Sequence, residues 1–501
     1  MTLKTTSYLL FSLILVSSQN TLADEKVDRI VKMANDYCGL CHSMPSPSIA
    51  PKASWPRIIK TMNELALKKF GKPMIDENQT RDITAFYYGS SPETLPRLPY
   101  NQTHQKLTFK QHIVGAKQEL PLITNIKLAT IEGNKKTNFI VSDMGNNAVF
   151  LLSKDNKTWR EKKIADIGAS VYADVMDYDG DADKDVVIGD IGVLPYTDKK
   201  VGNIFLLRNQ NGNTFSKEKL MDGIGRIAET RAIDIDGDND LDIAVAAFGG
   251  GDSGEIFWME NQGKNNYVKH SLLDVTGALN ITPWDMNNDG HMDFISLISQ
   301  EHELFMVFIN QGNKQFTHKV IARGPHPMFG STSMRLVDLD QDGDLDVLFT
   351  NGDAYDTQQD LKPYHGVQWL ENLNNDQFRF HDIGRFYGAA LALAGDMDKD
   401  GDLDVVASSF MNDWNDPKRQ SMVWFENDGK QNFVQHDLTA KPASIATFEL
   451  ADVTGDGYLD IVAGSLRLDL LFKPKDENDK SKPGNSTPEP RIVILENMGI
   501  H

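Results

Sequence analysis

The chain is poor in cysteine and in basic residues, and it has no internal apolar stretch long enough to cross a bilayer. Its 501 residues include 2 cysteines, 51 lysines and arginines, and 71 aspartates and glutamates, for a formal charge of −20. The acidic composition argues against a nucleic-acid partner, and the missing apolar stretch argues against membrane insertion. A nucleophile elbow, a metalloprotease helix motif and a phosphate loop are also absent from the sequence.

The first 23 residues have the pattern of a secretory signal peptide. MTLK supplies a basic start, SYLLFSLILV an apolar core, and SSQNTLA a small-residue segment before Asp24. No cysteine follows the apolar core, so a lipoprotein anchor is not indicated. We therefore expect residues 1–23 to be removed and the protein to be exported, to a periplasm.

Both cysteines lie in one short motif, Cys38-Gly-Leu-Cys41-His42. The C-x-x-C-H pattern is typical of covalent c-type haem attachment, in which the thiols bond to the haem and the histidine binds its iron. A redox dithiol or a disulfide is the alternative interpretation of such a pair. The adjacent histidine, in a chain with no other cysteine, favours one covalent haem c.

Apolar residues at helical spacing predict a helix on each side of this motif and a third helix from Asp76 to Tyr88. Three helices around one C-x-x-C-H motif resemble a small class I cytochrome c domain, here residues 24–95. The resemblance implies a sixth iron ligand, usually a methionine from a loop before the last helix. Met74 has that position, and Met62, on the apolar face of the second predicted helix, is the alternative.

Six nine-residue segments between residues 177 and 460 carry acidic or amide side chains at alternate positions. Positions 1, 3, 5 and 9 of each segment offer side-chain oxygens, and position 7 can offer a backbone carbonyl. Ca²⁺ takes six to eight oxygen ligands, and it would neutralise carboxylates that otherwise repel one another. We therefore predict about six structural calcium ions. The residues at the odd positions are, in chain order, Asp177, Asp179, Asp181, Asp183 and Asp185; Asp234, Asp236, Asp238, Asp240 and Asp242; Asp285, Asn287, Asp289, His291 and Asp293; Asp338, Asp340, Asp342, Asp344 and Asp346; Asp396, Asp398, Asp400, Asp402 and Asp404; and Asp452, Thr454, Asp456, Tyr458 and Asp460.

An EF-hand is the main alternative for such an acidic loop, and it requires a bidentate glutamate at position 12. The EF-hand interpretation fails because that position has no acidic residue in any segment. The residues found there are Ile188, Val245, Ser296, Phe349, Ala407 and Ala463.

The acidic segments begin 57, 51, 53, 58 and 56 residues apart, and a hairpin phrase such as Trp-x-Glu-Asn lies between them. Repeats of this length are typical of propellers. A seventh unit, residues 130–138, keeps Glu132 as its one acid, so we expect no tight calcium site there. The units resemble FG-GAP/VCBS repeats of integrin-α-like propellers. That resemblance implies an all-β, seven-bladed propeller over residues 106–501.

The chain ends predict how the propeller closes. Residues 492–497 supply the first half of the hairpin phrase, and residues 109–112 supply its missing second half. An N-terminal strand that completed the last blade would leave no open sheet edge. We place a linker at residues 96–105, and a charged, proline-rich loop at residues 466–490 inside the last blade.

The expected protein is therefore multidomain, with a small all-α cytochrome c domain followed by the propeller. Electron transfer with a redox protein partner docked on the propeller is the favoured function. One alternative is a haem-linked oxidoreductase that binds a small organic substrate in the propeller channel, and another is an adhesion or ligand-binding protein. The candidate channel residues are Tyr172, Arg226, Glu229, Arg231, Trp284, His326, Arg335, Arg385 and Tyr387.

Overall fold

The structure is a computed structural model, and it divides the chain into two compact units. One unit contains the residues up to Arg97 together with Pro325–Met328, and the other contains Leu98–Gly324 together with Phe329–His501. The predicted signal peptide lies outside the described residues. The structure describes residues 27–37, 39, 44–99, 106–130, 137–155, 158–210, 214–263, 266–355, 361–374, 377–471 and 487–500.

The N-terminal unit contains the three predicted helices. They are α1 (residues 27–37), α2 (Trp55–Phe70) and α3 (Glu77–Ser90), with 3-10 turns at Pro47–Ile49 and Lys52–Ser54. A capping box begins α3, because the side chains of Asp76 and Gln79 bond each other's backbone N–H groups. At the end of α2, Gly71 has a φ of 71°, which lets its N–H reach the carbonyl of Leu67.

The packing of this unit centres on Trp55 and Tyr87, whose buried rings stack 3.9 Å apart. The stack joins the start of α2 to α3. The sequence predicted a continuous apolar face on α2, but that face is only partly covered. Ile59 is buried, whereas Met62 and Leu65 are 40% and 51% exposed. Helical spacing identified the stripe correctly and could not show which end of it α3 covers.

The second unit is built from short β-strands. In the described part of this unit, the helical elements are a 3-10 turn at Met144–Asn146 and α4 (Leu468–Leu471). The strands are β1 (Leu107–Val114), β2 (Ile123–Ala129), β3 (Asn138–Asp143), β4 (Ala148–Asp155), β5 (Thr158–Asp166), β6 (Ser170–Met176), β7 (Asp185–Asp190), β8 (Gly202–Asn209), β9 (Phe215–Ile224), β10 (Ile227–Ile233), β11 (Asp242–Ala247), β12 (Glu255–Asn261), β13 (Tyr267–Leu273), β14 (Thr282–Trp284), β15 (Asp293–Ile298), β16 (Leu304–Asn310), β17 (Phe316–Arg323), β18 (Ser331–Val337), β19 (Asp346–Asn351), β20 (Gly366–Asn372), β21 (Phe378–Arg385), β22 (Ala389–Gly395), β23 (Asp404–Ser409), β24 (Met422–Asn427), β25 (Phe433–Thr439), β26 (Ile445–Ala451), β27 (Asp460–Ser465) and β28 (Ile492–Ile500).

These strands form a seven-bladed propeller of four-stranded antiparallel sheets within the described residues. Blades 1 to 6 each use four consecutive strands, from β2–β5 to β22–β25. Blade 7 has the order β26-β27-β28-β1, so the first strand of the unit closes the last blade. In that closure Phe109 pairs with Asn497 and His112 pairs with Ile494, which confirms the predicted closing strand.

Burial along the strands explains why the sheets stack as blades. The second strand of every blade is buried at all six of its residues, as in Asp242–Ala247. Outer strands such as Phe378–Arg385 alternate between exposed and covered residues instead. The apolar cores therefore lie between adjacent blades. In one such core Trp424 of blade 6 packs with Phe448 and Leu495 of blade 7.

The seventh unit, predicted at residues 130–138, is the turn of blade 1, between β2 and β3. Residues 131–136 of that turn lie outside the described part of the chain. The predicted loop at residues 466–490 does separate β27 from β28, and residues 472–486 of it are outside the described part. Within the described residues, no helix has the length and apolar character needed to cross a membrane.

Candidate metal-binding turns and the propeller channel

The six acidic segments all occupy the same place in their blades, the turn between the first and the second strand. In blade 2, β6 ends at Met176, the turn begins at Asp177, and Asp185 is the first residue of β7. Blades 3 to 7 repeat this arrangement. The six turns therefore lie at one end of the propeller, and a residue at position 9 always starts a buried strand.

The aspartate at position 9 closes the turn on itself and on the third strand. In blade 2, Oδ2 of Asp185 accepts the Tyr178 N–H at 3.1 Å, and Oδ1 accepts the Asn209 N–H at 2.7 Å. The asparagine belongs to the recurrent hairpin phrase. The same pair of bonds occurs in the other five turns, at Asp242, Asp293, Asp346, Asp404 and Asp460.

These position 9 carboxylates are buried, and burial disfavours their charged form. Burial raises the pKa of Asp242, Asp346 and Asp404 to about 7 and the pKa of Asp460 to about 6, against the two backbone N–H bonds that lower it. Neighbouring carboxylates in each turn add to the rise. A cation beside them would reverse this effect.

The aspartate at position 1 is held by backbone N–H groups inside the turn. In blade 5, Asp338 accepts the N–H groups of Asp342 and Gly343, each at 3.0 Å. Gly343, at position 6, has a φ of 102°, which glycine adopts without steric cost. The residue at position 6 donates to position 1 in all six turns. These hydrogen bonds fold the backbone of the turn back on its first residue, which brings the two ends of the turn together.

The carboxylates at positions 1, 3 and 9 place one oxygen each within 4.8 Å of one another in four turns. The turns of blades 4 and 7 have an asparagine and a threonine at position 3 instead. Three convergent carboxylates are a ligand set suited to Ca²⁺. The four groups are Asp177, Asp179 and Asp185; Asp234, Asp236 and Asp242; Asp338, Asp340 and Asp346; and Asp396, Asp398 and Asp404.

The position 3 aspartates of these four turns have different partners. In blade 2, Nη1 of Arg208 lies 2.9 Å from Oδ2 of Asp179, and in blade 3, Nζ of Lys314 lies 3.2 Å from Oδ2 of Asp236. In blades 5 and 6, Oδ1 of Asp340 and Oδ1 of Asp398 are buried with no hydrogen-bond partner among the described residues. A buried carboxylate oxygen without a partner is costly, and a divalent cation would satisfy it.

The remaining predicted ligands lie beside this three-carboxylate group. The position 5 side chain accepts the N–H of position 7 in every turn, as Asp400 does from Asp402 at 3.2 Å. The position 7 side chains vary. Oδ2 of Asp344 accepts the amide of Asn374, whereas the Tyr458 ring lies under the Lys399 ammonium, 3.5 Å from it. Among these side chains, the Oδ1 atoms of Asp240 and Asp402 are buried without a hydrogen-bond partner in the described part of the chain.

The predicted haem-attachment residues Cys38, Cys41 and His42 lie outside the described residues. Both candidate sixth ligands are described. Met74 is partly buried in the connection between α2 and α3, and Met62 is an exposed residue of α2. The choice between Met74 and Met62 stays a prediction.

Several of the candidate channel residues meet on the inner strands. Glu229 is fully buried, and its Oε1 accepts the Nε–H of Arg231 at 2.7 Å. The guanidinium of Arg231 lies over the Tyr172 ring at 5.1 Å and 3.6 Å from Asp174. The pKa of Glu229 is lowered overall. Burial acts to raise it, but the neighbouring guanidinium groups of Arg231 and Arg335 and the hydrogen bond from the Asn280 amide have the larger combined effect. The channel wall thus holds a compensated ion network.

Sequence reasoning missed half of this network. Nζ of Lys127, on β2, lies 3.8 Å from Oε1 of Glu449, on β26, and neither residue was predicted. Like Asp174, Arg231 and Arg335, they stand three residues before position 1 of their units, so this offset was the available signal. Burial lowers the pKa of Lys127, against the attraction of Glu449. The other candidates do not join the network: Trp284, Arg385 and Tyr387 lie elsewhere in the propeller, and His326 belongs to the N-terminal unit.

Comparison with known proteins identifies the repeats. Residues 234–296 and 285–349 match the family described as FG-GAP-like repeat. The two matches span the acidic turns of blades 3 to 5, so the chain contains FG-GAP-like repeats. No curated protein matches the chain. Among solved structures, Sqt1 of Saccharomyces cerevisiae aligns over 80% of this chain and 100% of its own, with 12% identity and a TM-score of 0.45.

Proposed function

We propose that the protein is an exported c-type cytochrome with one haem, joined to a calcium-stabilised propeller, and that it exchanges electrons with a redox protein partner. The observation that carries the proposal is the Cys38-Gly-Leu-Cys41-His42 motif within the helical N-terminal unit. Its two cysteines are the only ones in the chain.

The N-terminal residues fit the requirements of a bound haem. Cys38 and Cys41 would form the thioether bonds, and His42 would supply one axial nitrogen. Met74 would supply the sixth ligand, with Met62 as the alternative. A haem held there supplies one-electron exchange. Large apolar side chains of α1 and α2 are exposed, and a porphyrin is usually surrounded by side chains of this kind. They are Val27, Tyr37, Met62, Leu65, Leu67 and Phe70.

The absorption spectrum of the purified protein tests this proposal. We expect a c-type haem spectrum that survives denaturation in wild type and is lost in the Cys38→Ser, Cys41→Ser double variant. The near-infrared methionine–iron band should vanish in Met74→Ala and persist in Met62→Ala. A protein without covalent haem would overturn the cytochrome proposal, and a band that persists in Met74→Ala would transfer the ligand role to Met62.

For the propeller, the carboxylates at positions 1, 3 and 9 would hold calcium in blades 2, 3, 5 and 6. The buried, unpartnered oxygens of Asp340 and Asp398 support this part of the proposal. The ions would stabilise the turns rather than take part in a reaction, because protein oxygens surround each position. Elemental analysis after dialysis should find about four to six calcium ions per chain, and none would contradict it.

A second candidate function is the oxidation of a small organic substrate, with electrons passed to the haem. A cavity of about 370 Å³ at one mouth of the propeller channel favours it, since cavities of this size hold small molecules. Mixing the oxidised protein with a panel of alcohols, sugars and amines separates the two functions. Haem reduction by one of them supports the oxidoreductase. If none of them reduces the haem, and the protein exchanges electrons rapidly with a soluble redox protein, the electron-transfer function is supported.

A further inference from the structure

The cavity lies at the end of the channel opposite the acidic turns. The turns follow the end of the first strand of each blade, whereas the residues around this mouth lie at or just before the start of that strand or follow the second strand. The side chains that face it from the inner strands are small or aliphatic. They are Val171, Ala228, Leu279, Thr332, Ala390 and Ala446.

One cationic side chain stands at the rim of this apolar cavity. Arg226 directly precedes the first strand of blade 3. Strand pairing aligns it with residues of the other six blades that are all uncharged, and most of them are small. These are Leu122, Ala169, Gly277, Gly330, Gly388 and Ser444. The fold therefore does not require a guanidinium at this position, and an arginine there points to a separate role.

The guanidinium of Arg226 uses only part of its hydrogen-bonding capacity. It donates from Nη2 to the Leu194 carbonyl at 3.3 Å, and it lies 5.8 Å from the centre of the Phe248 ring. Its Nε is buried and has no hydrogen-bond partner among the described residues. No carboxylate of the described chain forms an ion pair with it, and burial lowers its pKa. A half-buried cation without an anion is unfavourable, so an incoming anion would be stabilised there.

The walls next to Arg226 define the rest of the ligand. Phe248, Phe410 and Tyr355 line the cavity and offer flat apolar surfaces. The acidic lining residue is Asp353, whose Oδ1 accepts the Tyr355 N–H at 2.9 Å. An aromatic body packed against such rings and a carboxylate on a guanidinium is a common arrangement in small-molecule sites.

We propose that this cavity binds a small aromatic carboxylate, with its carboxylate on Arg226 and its ring against Phe248 and Phe410. The site goes beyond the electron transfer proposed above and specifies the ligand chemistry of the cavity named for the second candidate function. Its occupancy does not depend on a haem. It also differs in kind from the acidic turns, since its ligand is an anion.

Calorimetric titration of the full-length protein in calcium tests the site. The probes are phenylacetate and 3-phenylpropionate, with their neutral amides as matched compounds. We expect the acids to bind, the amides to bind about tenfold more weakly or worse, and Arg226→Gln to weaken the acids by about tenfold or more. Arg160→Gln, which removes an exposed guanidinium from β5, should leave the affinity unchanged.

A second variant keeps the test valid if Arg226→Gln folds poorly. Ala228→Leu narrows the cavity beside Arg226 and leaves the guanidinium in place, so it should also weaken binding of the acids by about tenfold or more. The proposal is overturned if both acids fail to bind at millimolar concentration. It is also overturned if Arg226→Gln binds them like wild type, or if the amides bind as tightly as the acids.

Discussion

The turns of blades 2 and 5 bring the same three carboxylates together but neutralise them differently. In blade 2, Asp179 at position 3 is paired with Arg208 at 2.9 Å. In blade 5, Oδ1 of Asp340 at the same position is buried and has no hydrogen-bond partner among the described residues. A shared sequence motif therefore does not imply an equal need for metal. In blade 2 the Arg208 guanidinium offsets part of the negative charge that a metal ion would neutralise, and no such ion pair with Asp340 occurs among the described residues of blade 5.

Blades 3 and 6 repeat the contrast. Lys314 reaches Asp236 at 3.2 Å and Glu260 at 2.7 Å. In blade 6, burial raises the pKa of Asp398, and Lys106, which pairs with Glu426, acts from a distance to lower that pKa only in part. Oδ1 of Asp398 lacks a hydrogen-bond partner in the described part of the chain. Lys314 comes from the hairpin of blade 4, so the cation also links two blades. We infer that the turns of blades 5 and 6 depend most strongly on calcium, and that the turn of blade 2 depends on it least.

Calcium removal should have the largest effect. For each site that is occupied at one hundred times its Kd, binding contributes about 2.7 kcal/mol to the free energy of unfolding. We expect EGTA to lower the thermal midpoint strongly and calcium to restore it, as seen by circular dichroism. The Asp340→Ala, Asp398→Ala double variant should respond much less to EGTA than wild type. An unchanged wild-type midpoint in EGTA would rule out the calcium-stabilised propeller.

Position 9 should matter equally in both kinds of turn. Asp242→Ala in blade 3 and Asp346→Ala in blade 5 each leave two buried backbone N–H groups unpaired. We expect each to cost about 3 kcal/mol in urea unfolding measured in EGTA, where metal does not contribute. Unequal losses would show that the two turns differ in more than their position 3 partner.

Glu303 offers a buried acid outside the turns. It is 2% exposed and bonded by Gly330 and Ser331, and burial raises its pKa from 4.5 to about 7. The folded protein therefore binds the proton more tightly than the unfolded chain does. The stability gained from the protonated form is fully present below pH 4.5 and is lost as the pH rises towards 7.

Glu303→Gln should remove this part of the pH dependence. In saturating calcium, we expect wild type to lose about 2 kcal/mol more than the variant between pH 5 and pH 8. Urea midpoints at the two pH values measure the difference. Asp222→Asn, at an exposed acid, is the control and should behave like wild type. Parallel pH profiles for wild type and Glu303→Gln would contradict the pKa assignment.

Lys314→Gln should have the smallest effect, and only without calcium. The change removes an ammonium from Asp236 and Glu260, and partly exposed pairs of this kind contribute about 1 kcal/mol or less. We expect that loss in EGTA and almost none in calcium, where the ion can take over. Lys219→Gln, at an exposed pair with Asp222, is the matched control. An equal loss under both conditions would mean that Lys314 is not a substitute for metal.

Most of the propeller fold could be predicted from the sequence, because the acidic segments and the hairpin phrase recur along the chain. The spacing of the acidic segments gave the blades, and the split hairpin phrase gave the closing strand that pairs Phe109 with Asn497. The exposure of Met62 and Leu65 was not readable, because helical periodicity identifies an apolar stripe but not how much of it is covered. The predicted helices around the haem motif are present, and the haem itself stays a prediction.

The site could be predicted only in part, because the partners of its acids lie far along the chain or in a neighbouring blade. The sequence marks every acid of the turns, but Arg208 lies 29 residues after Asp179, and Lys314 comes from a neighbouring blade. Which carboxylates are already neutralised depends on those three-dimensional contacts. Arg226 was noticed as a channel candidate, and only strand alignment shows that the other blades have uncharged residues in its place.

Calcium titration of Asp340→Ala and Asp179→Ala tests the central claim most directly. Each variant removes a position 3 carboxylate, from blade 5 and blade 2 respectively. Isothermal titration calorimetry of EGTA-treated, dialysed protein would count the tight sites in wild type and in both variants. We predict that Asp340→Ala loses one tight site. Asp179→Ala should keep the wild-type number of tight sites, because the Arg208 pair with Asp179 would make calcium binding in blade 2 weak already in wild type. Equal losses in the two variants would contradict the account.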